Sequence, residues 1–341
     1  MENKKAALSY DDVLLKPQYS DIKSRSEIDI TAFLRKDIQL HLPVISSPMD
    51  TVSESEMAAA ISTAGGMAVV HRYNTIAEQV SHISSNGSRC VGAAIGITGD
   101  YLDRAVAAVE AGADVVCVDV AHGHHILMKE ALYSLRSRFG DDLHIMAGNV
   151  ATLEGINDLA AWGADSVRCN IGGGSICSTR IQTGHGMPGL QTIIECAKTE
   201  KDVNIIADGG IRTSGDIVKA LAAGADAVMV GSLLAGTKES PGDVFKDNKG
   251  LIWKTYRGMA SKDAQIEWRG KYSSLEGVST RVPYRGPVGD ILRELERGIR
   301  SGFSYSGARN LKELWAAAEF IIQTGAGMTE SGTHIQERMW K

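Results

Sequence analysis

The chain has 341 residues, 43% of them hydrophobic, with a formal net charge of −5 and a sequence pI near 6.0. That length holds two average domains or one large α/β barrel, and an acidic balance without a basic cluster argues against nucleic-acid or membrane-surface binding. The five cysteines (Cys90, Cys117, Cys169, Cys177, Cys196) lack C-x-x-C spacing, Met1–Lys5 carries no apolar leader, and no long uncharged apolar run follows, so the expectation is a cytoplasmic protein with reduced thiols.

Residues 1–40 are mixed and polar, with Asp11 to Pro17 as a short lead-in. From there a regular beat begins. Apolar, strand-like runs fall at 43–46, 66–71, 90–96, 115–121, 144–149, 166–171, 204–208 and 227–231. Each is nearly all apolar, as strands covered on both faces are. Between them, three-to-four-residue periodicity predicts helices at 54–64, 75–85, 101–111, 125–138, 152–161, 189–199 and 214–223. Three end in the same punctuation, Ala-Gly-Ala-Asp at 111–114, Trp-Gly-Ala-Asp at 162–165 and Ala-Gly-Ala-Asp at 223–226, which reads as a left-handed glycine cap leading into the next strand. Alternation of this kind predicts a (β/α)8 TIM barrel over about residues 40–240, with a doubly wound sheet as the competing arrangement.

Residues 240–288 hold Trp253, Tyr256, Trp268, Tyr272 and Tyr284 among glycines and charges, with little periodicity. They read as a long flap rather than a second domain. Closing helices are expected at 288–300 and 310–322, then a glycine- and hydroxyl-rich tail from Thr324 to Gly332 and a polar end, all within one catalytic domain spanning 1–341.

A barrel carries its chemistry at the C-terminal ends of its strands. Those ends read Ser46-Ser-Pro-Met49-Asp50, His71-Arg72-Tyr73, Asp119-Val-Ala-His122, Gly148-Asn149, Gly172 to Cys177, Asp208-Gly209-Gly210 and Gly231-Ser232. The two glycine-bearing ends at 208–210 and 231–232 stand where barrels build a phosphate site from loop N–H groups and a helix N-terminus. Ser175 adds a hydroxyl and Asp208 suits ribose hydroxyls, so a nucleotide-like monophosphate is the expected ligand. Cys177, two residues from Thr179 on a glycine-rich loop, is a candidate nucleophile; its plain alternative is a small buried hydrophobe. Glu276 in the flap reads equally as a solvated carboxylate. His122, His124 and His125 lack metal-site spacing and read as loop and cap residues.

Ser47-Pro-Met-Asp-Thr-Val52, Ala147-Gly-Asn-Val150, Gly172-Gly-Gly-Ser-Ile-Cys-Ser-Thr-Arg180, Ala207-Asp-Gly-Gly-Ile211, Met229-Val-Gly-Ser232 and Tyr256-Arg-Gly-Met259, in this order over residues 8–332, resemble the IMP dehydrogenase/GMP reductase family. The resemblance implies a purine nucleoside monophosphate in the barrel mouth, attacked at carbon 2 by Cys177 to give a covalent thioimidate, with hydride exchanged with a nicotinamide cofactor. It implies that Ser175, Gly210, Gly231 and Ser232 hold the phosphate, with Gly209 alongside and Asp208 on the ribose. Ser47, Met49, Tyr256, Gly258 and Met259 would complete the nucleotide site, and Asp119, Asn149, Arg168 and Arg72 the cofactor side. Carbonyls of Gly172, Gly174 and Cys177 resemble a potassium site completed by a neighbouring subunit's tail around Glu330, which implies a homotetramer.

Within the family, the resemblance favours a GMP reductase using NADPH over an IMP dehydrogenase using NAD. No regulatory insertion interrupts the barrel, Arg180-Ile-Gln-Thr-Gly-His-Gly186 resembles the reductase form, and the flap lacks the adjacent Arg-Tyr pair of the dehydrogenases. Thr179 with Glu276 would then handle ammonia, while Trp268-Arg269 with Tyr272 could stand in for the missing pair. The chain departs from the family pattern at Cys169-Asn170 (usually Val-Gly), Gly173 (usually Pro) and Arg72 (commonly Lys), where Arg72 could hold Glu276 ionised but not act as an acid. A catalytically silent nucleotide-binding relative is the alternative from another class.

Overall fold

The computed structural model describes residues 6–333 apart from Lys36, Asn86, Ser88 and Arg89; the Met1–Lys5 segment and the polar end beyond Thr333 lie outside the described residues. Eight parallel strands close into a barrel: Val44–Ser46, Met67–Val70, Val91–Ile95, Val115–Asp119, His144–Val150, Ser166–Cys169, Asn204–Asp208 and Ala227–Val230. These are the eight apolar runs, with ends that agree to within two residues. The last strand pairs back on the first, Val228 opposite Val44, so no edge is left open.

The helices Ser55–Thr63, Ile76–Ser84, Tyr101–Glu110, Ile126–Phe139, Leu153–Ala161, Gly189–Cys196 and Ser214–Ala222 fill the crossovers. The repeated caps behave as their composition demands: Gly112, Gly163 and Gly224 have φ of 98°, 112° and 111°, a region costly for any residue with a Cβ. The ring closes with Val288–Tyr305, which packs between Ser55–Thr63 and Ser214–Ala222. Ile45, Met67, Val69, Ala94, Val115, Cys117, Met146, Ile206, Ala227 and Met229 fill the barrel interior, all fully buried. Ala32, Leu34 and Leu40 of an antiparallel hairpin, Ala32–Leu34 with Ile38–Leu40, plug its N-terminal end.

Two expectations are corrected. The 240–288 region is no irregular loop: Val244–Lys246, Ile252–Arg257 and Ser279–Pro283 form a three-stranded antiparallel sheet carrying the helix Lys262–Arg269. Its strands are short and largely exposed, so they lack the apolar alternation that announces a half-buried strand. The last closing helix ends at Ala317, and Phe320–Ile322 pairs as a strand with Val13–Leu15. Three residues are too few to show a period, and the partner lies about 300 positions away in the sequence.

Candidate active site

The C-terminal strand ends converge on a cleft of about 350 Å³, into which the flap contributes Tyr256, Gly258 to Ala260, Glu276 and Gly277. The sixth strand supplies the loop at its centre. After Cys169 the chain passes Asn170 and turns through Gly172, with φ of 79°, before reaching Ser175 and Cys177.

Cys177 is half-buried, and its Sγ lies 3.2 Å from Thr179 Oγ1. The Thr179 hydroxyl in turn donates to Glu276 Oε2 at 2.7 Å. Ser274 Oγ donates to the other oxygen, Oε1, at 2.8 Å. Thiol, hydroxyl and carboxylate thus form a continuous hydrogen-bonded line from the cleft into the flap. Local and distant parts of the chain are held together by backbone pairing: Ser178 N–H donates to the Glu276 carbonyl at 2.9 Å and Val278 N–H to that of Ile176 at 3.0 Å. Burial pushes Cys90 and Cys117 up to about 12 and raises Cys169 as well, so these three stay protonated.

On the opposite wall, Asp208 ends the seventh strand. Its Oδ2 accepts from Arg168 Nε at 3.1 Å and Nη2 at 2.8 Å, and from Asn149 Nδ2 at 2.8 Å. All three bonds end on one oxygen, which leaves Oδ1 to accept from a ligand. Arg168 spans from Asp208 to Asp119, whose Oδ1 it also contacts. The guanidinium is therefore a bridge between the ends of the seventh and fourth strands.

Gly209 and Gly210 both have positive φ, 86° and 76°, and bring the chain against the Gly173–Gly174 backbone. The eighth strand does not run into a helix N-terminus as expected. Gly231 opens a single hydrogen-bonded turn, its carbonyl accepting from the Leu234 and Ala235 N–H groups at 3.0 and 2.9 Å. Loop amides and the hydroxyls of Ser175, Ser232 and Tyr256 are therefore the groups at hand for an anion. Ser175 Oγ and Tyr256 Oη are 3.4 Å apart. A Cβ at Gly231 would meet Met49 Sδ and Tyr256 Oη, each at 3.1 Å, so Ser47, Met49 and Gly231 pack together with Tyr256.

Other expectations change. Arg72 does not reach Glu276: its Nη2 donates to the Asp119 carbonyl at 3.3 Å, its Nε lies 3.9 Å from Asp119 Oδ2, and its guanidinium lies 5.5 Å from the Tyr73 ring centre. The second strand's end simply aims it across the barrel mouth toward the fourth. Nor do Trp268, Arg269 and Tyr272 replace an Arg-Tyr pair. Trp268 stacks on Tyr73, 5.8 Å between centroids. Arg269 is spent on Gln265 Oε1 and Ser273 Oγ, and Tyr272 sits under Lys262. His125 caps its helix by accepting from Leu127 N–H, and His124 binds Asp158, as loop and cap residues do. Among the described residues no cluster of three His, Cys, Asp or Glu could hold a metal ion. The tail helix Gly325–Glu330 packs beside the turn Tyr10–Asp12, and Glu330 is not among the residues lining the cleft.

Sequence reasoning missed the latch that seats the flap. Arg257 Nε donates to Asp50 Oδ2 at 2.9 Å, and Arg257 N–H donates to Thr51 Oγ1 at 3.2 Å. The opposite charges were visible in Ser47-Pro-Met-Asp50 and Tyr256-Arg-Gly-Met259, but their 207-residue separation gave no reason to pair them.

Two side chains of the cleft wall carry unpaired atoms. Asn149 Oδ1, an acceptor, and Arg72 Nε, a donor, are buried without a hydrogen-bond partner.

Comparison with known proteins agrees with this construction. Residues 7–334 match the IMP dehydrogenase / GMP reductase domain. The inosine-5′-monophosphate dehydrogenase of Nitrosopumilus maritimus is 34% identical, covering 97% of this chain and 98% of its own. That of Cryptosporidium parvum is 36% identical over 97% and 95%. The GMP reductase of Leishmania major is 31% identical over 96% of both chains. The crystal structure of GMP reductase C318A from Trypanosoma brucei, in complex with guanosine 5′-monophosphate, superposes with a TM-score of 0.92 at 31% identity, covering 97% of this chain and 98% of that one. The Leishmania reductase aligns over 476 positions against the 341 residues here, and the Nitrosopumilus dehydrogenase over 470. An insertion therefore does not separate reductase from dehydrogenase, and its absence cannot be counted for either. Motif order, barrel and cleft all extend over nearly the whole chain, which belongs to the IMP dehydrogenase/GMP reductase family of purine nucleotide oxidoreductases.

Proposed function

We propose that this enzyme is a GMP reductase that converts GMP to IMP and ammonia with NADPH. The observation that supports this reading is the Cys177–Thr179–Glu276 line, in which the Thr179 hydroxyl stands 3.2 Å from the attacking sulfur and 2.7 Å from a carboxylate able to relay a proton through it. The Cys177 thiolate adds to carbon 2 of the purine, forming the C–S bond. The C–N bond to the 2-amino group then breaks, and the leaving nitrogen takes its proton through the Thr179 hydroxyl from Glu276, giving ammonia and the thioimidate. A bound dihydronicotinamide supplies the hydride to carbon 2; the C–S bond breaks and the thiolate returns. The sum is GMP, NADPH and two protons to IMP, NADP⁺ and ammonium.

The chain's own part is positioning. Asp208 Oδ1 accepts from the ribose, and the Gly209–Gly210, Gly231 and Ser232 amides with Ser175 and Tyr256 take the phosphate. Gly258 and Met259 lie along the purine. Asp119, Asn149, Arg168 and Arg72 frame the nicotinamide end, where Asn149 Oδ1 and Arg72 Nε have unmet hydrogen-bonding capacity for a carboxamide. Holding both partners turns hydride transfer into a positioned unimolecular step.

A potassium ion suits the loop carbonyls of Gly172, Gly174 and Cys177 better than a divalent metal would, because neutral oxygens without a carboxylate cluster favour a weakly hydrated cation. With Glu330 not among the residues lining its own cleft, a neighbouring tail in a homotetramer would complete that site. A cytoplasmic location accords with free thiols in all five cysteines.

The second reading, an IMP dehydrogenase using NAD, is favoured by one observation. Arg72 pairs with Asp119, so Glu276 has no cationic partner at that position. Absorbance at 340 nm decides between them. A fall with GMP plus NADPH alone supports the reductase, and a rise with IMP plus NAD alone supports the dehydrogenase. Nucleotide binding without change in either would leave a silent relative.

A further inference from the structure

The sixth-strand loop and the seventh-strand loop approach each other backbone to backbone. A Cβ on Gly209 would lie 3.3 Å from the Gly174 nitrogen, and one on Gly210 would lie 3.3 Å from the Gly173 carbonyl oxygen. One loop carries Cys177; the other carries Asp208 and the amides assigned to the sugar phosphate. The Asn170 side chain enters this seam from the end of the sixth strand, and the Tyr10 ring lies along it beside Gly210. Asn170 is 4% exposed, and its Nδ2 donates to the Gly209 carbonyl at 3.3 Å. Its Oδ1 has no hydrogen-bond partner.

Asn170 also fills the space that residue 173 would need. A Cβ on Gly173 would stand 2.2 Å from Asn170 Nδ2, 2.7 Å from Oδ1 and 2.8 Å from Cγ. No real Cβ tolerates such contacts. Gly173 is not in the left-handed region, so its own backbone would accept a side chain; Asn170 is what forbids it. The two departures from the family pattern noted in the sequence are one feature in space, a side chain moved from position 173 to position 170.

We infer that Asn170 is a positioning residue: a strut, coupled sterically to Gly173, that sets the distance between the thiol-bearing loop and the loop that grips the sugar phosphate. Its amide contributes where a side chain at 173 could supply bulk alone, because it also hydrogen-bonds the facing loop. A shift at this root displaces Cys177 relative to the nucleotide without touching either the sulfur or the base. Asn170 acts through Gly209 and Gly173. The inference rests on the nucleotide-site reading above.

The test is a cycle of Asn170→Ala, Gly173→Ala and the double variant in the full-length enzyme. Four quantities are read: Tm, nucleotide KM, kcat, and the rate at which iodoacetamide alkylates the Cys177 peptide with and without GMP or IMP. Asn170→Ala keeps Tm near that of the parent but raises nucleotide KM about tenfold and weakens nucleotide protection of Cys177, since a lost loop registration is felt in binding geometry first. Gly173→Ala lowers Tm and KM-corrected turnover sharply. The double variant recovers toward the parent on both, because the alanine methyl occupies the space the amide vacated. Effects that simply multiply in the double variant overturn the coupling. An Asn170→Ala enzyme with unchanged KM and unchanged protection overturns the positioning role. If the parent enzyme turns over neither substrate pair and neither nucleotide protects Cys177, the functional reading fails, while the Tm cycle still decides the steric coupling.

Discussion

The two ends of one barrel treat their buried polar groups in opposite ways. At the N-terminal end every such side chain among the described residues is bonded. Asp165 takes Arg35 and Arg136 together with the Ile145 N–H, and His144 bridges the Arg35 carbonyl and Ser166 Oγ at 2.9 and 2.8 Å. At the C-terminal end lie all five buried side-chain atoms recorded as unpaired among the described residues: Asp50 Oδ1, Arg72 Nε, Asn74 Nδ2, Asn149 Oδ1 and Asn170 Oδ1. An unmet buried donor or acceptor costs ~1–3 kcal/mol, and three of the five, on Arg72, Asn149 and Asn170, line the cleft. Strand sequence does not predict this division. It arises because the strands run parallel, so all their exits meet at one mouth.

The sharpest way to break the contrast is at the thiol. Cys177→Ala should abolish turnover, a loss of about 10⁴-fold or more and thus over ~5 kcal/mol of barrier. GMP binding by calorimetry and Tm should stay near those of the parent. Turnover surviving at a few per cent would remove the covalent step.

The matching change at the closed end should do the reverse. Asp165→Asn leaves two arginines with a neutral partner and should destabilise by roughly 3–5 kcal/mol. Denaturant unfolding measures this; kcat per folded molecule should be unchanged. A kinetic defect at full folding would show that the two ends are not independent.

Glu276→Gln keeps the hydrogen bond from Thr179 but carries no transferable proton. A loss of about 10²–10³-fold is expected in ammonia release, with hydride transfer from a preformed thioimidate much less affected. Equal losses in single-turnover measurements of both steps would assign Glu276 to positioning only.

The smallest effect concerns pH at the base of the seventh and eighth strands. Burial pushes the Asp226 carboxyl up to about 6, partly opposed by its bond from Ile205 N–H. A carboxyl raised in the folded state contributes stability that is present below its unfolded pKa and is lost as pH rises through the folded value. Asp226→Asn should therefore match the parent near pH 4 and exceed it by about 1–2 kcal/mol above pH 7, the change falling between pH 4 and 6. A Tm difference that stays flat across this range would show that Asp226 is ordinary in the folded protein.

The sequence by itself determined the barrel and the positions of its chemistry. Eight apolar runs separated by amphipathic helices can bury their faces in few ways, and the glycine caps at 112, 163 and 224 fix each reversal locally. Cys177 and Thr179 could be read together because they stand two residues apart. Only the tertiary structure decided what crosses between loops. Glu276 reaches Thr179 across 97 residues, Arg72 turns to Asp119 rather than Glu276, Arg257 latches onto Asp50, and Asn170 fills the place of residue 173. The flap sheet was hidden for the same reason, since its strands are stabilised by partners and not by their own pattern. Periodicity records how one segment meets a core; it carries no information about which side chain from another loop shares its space.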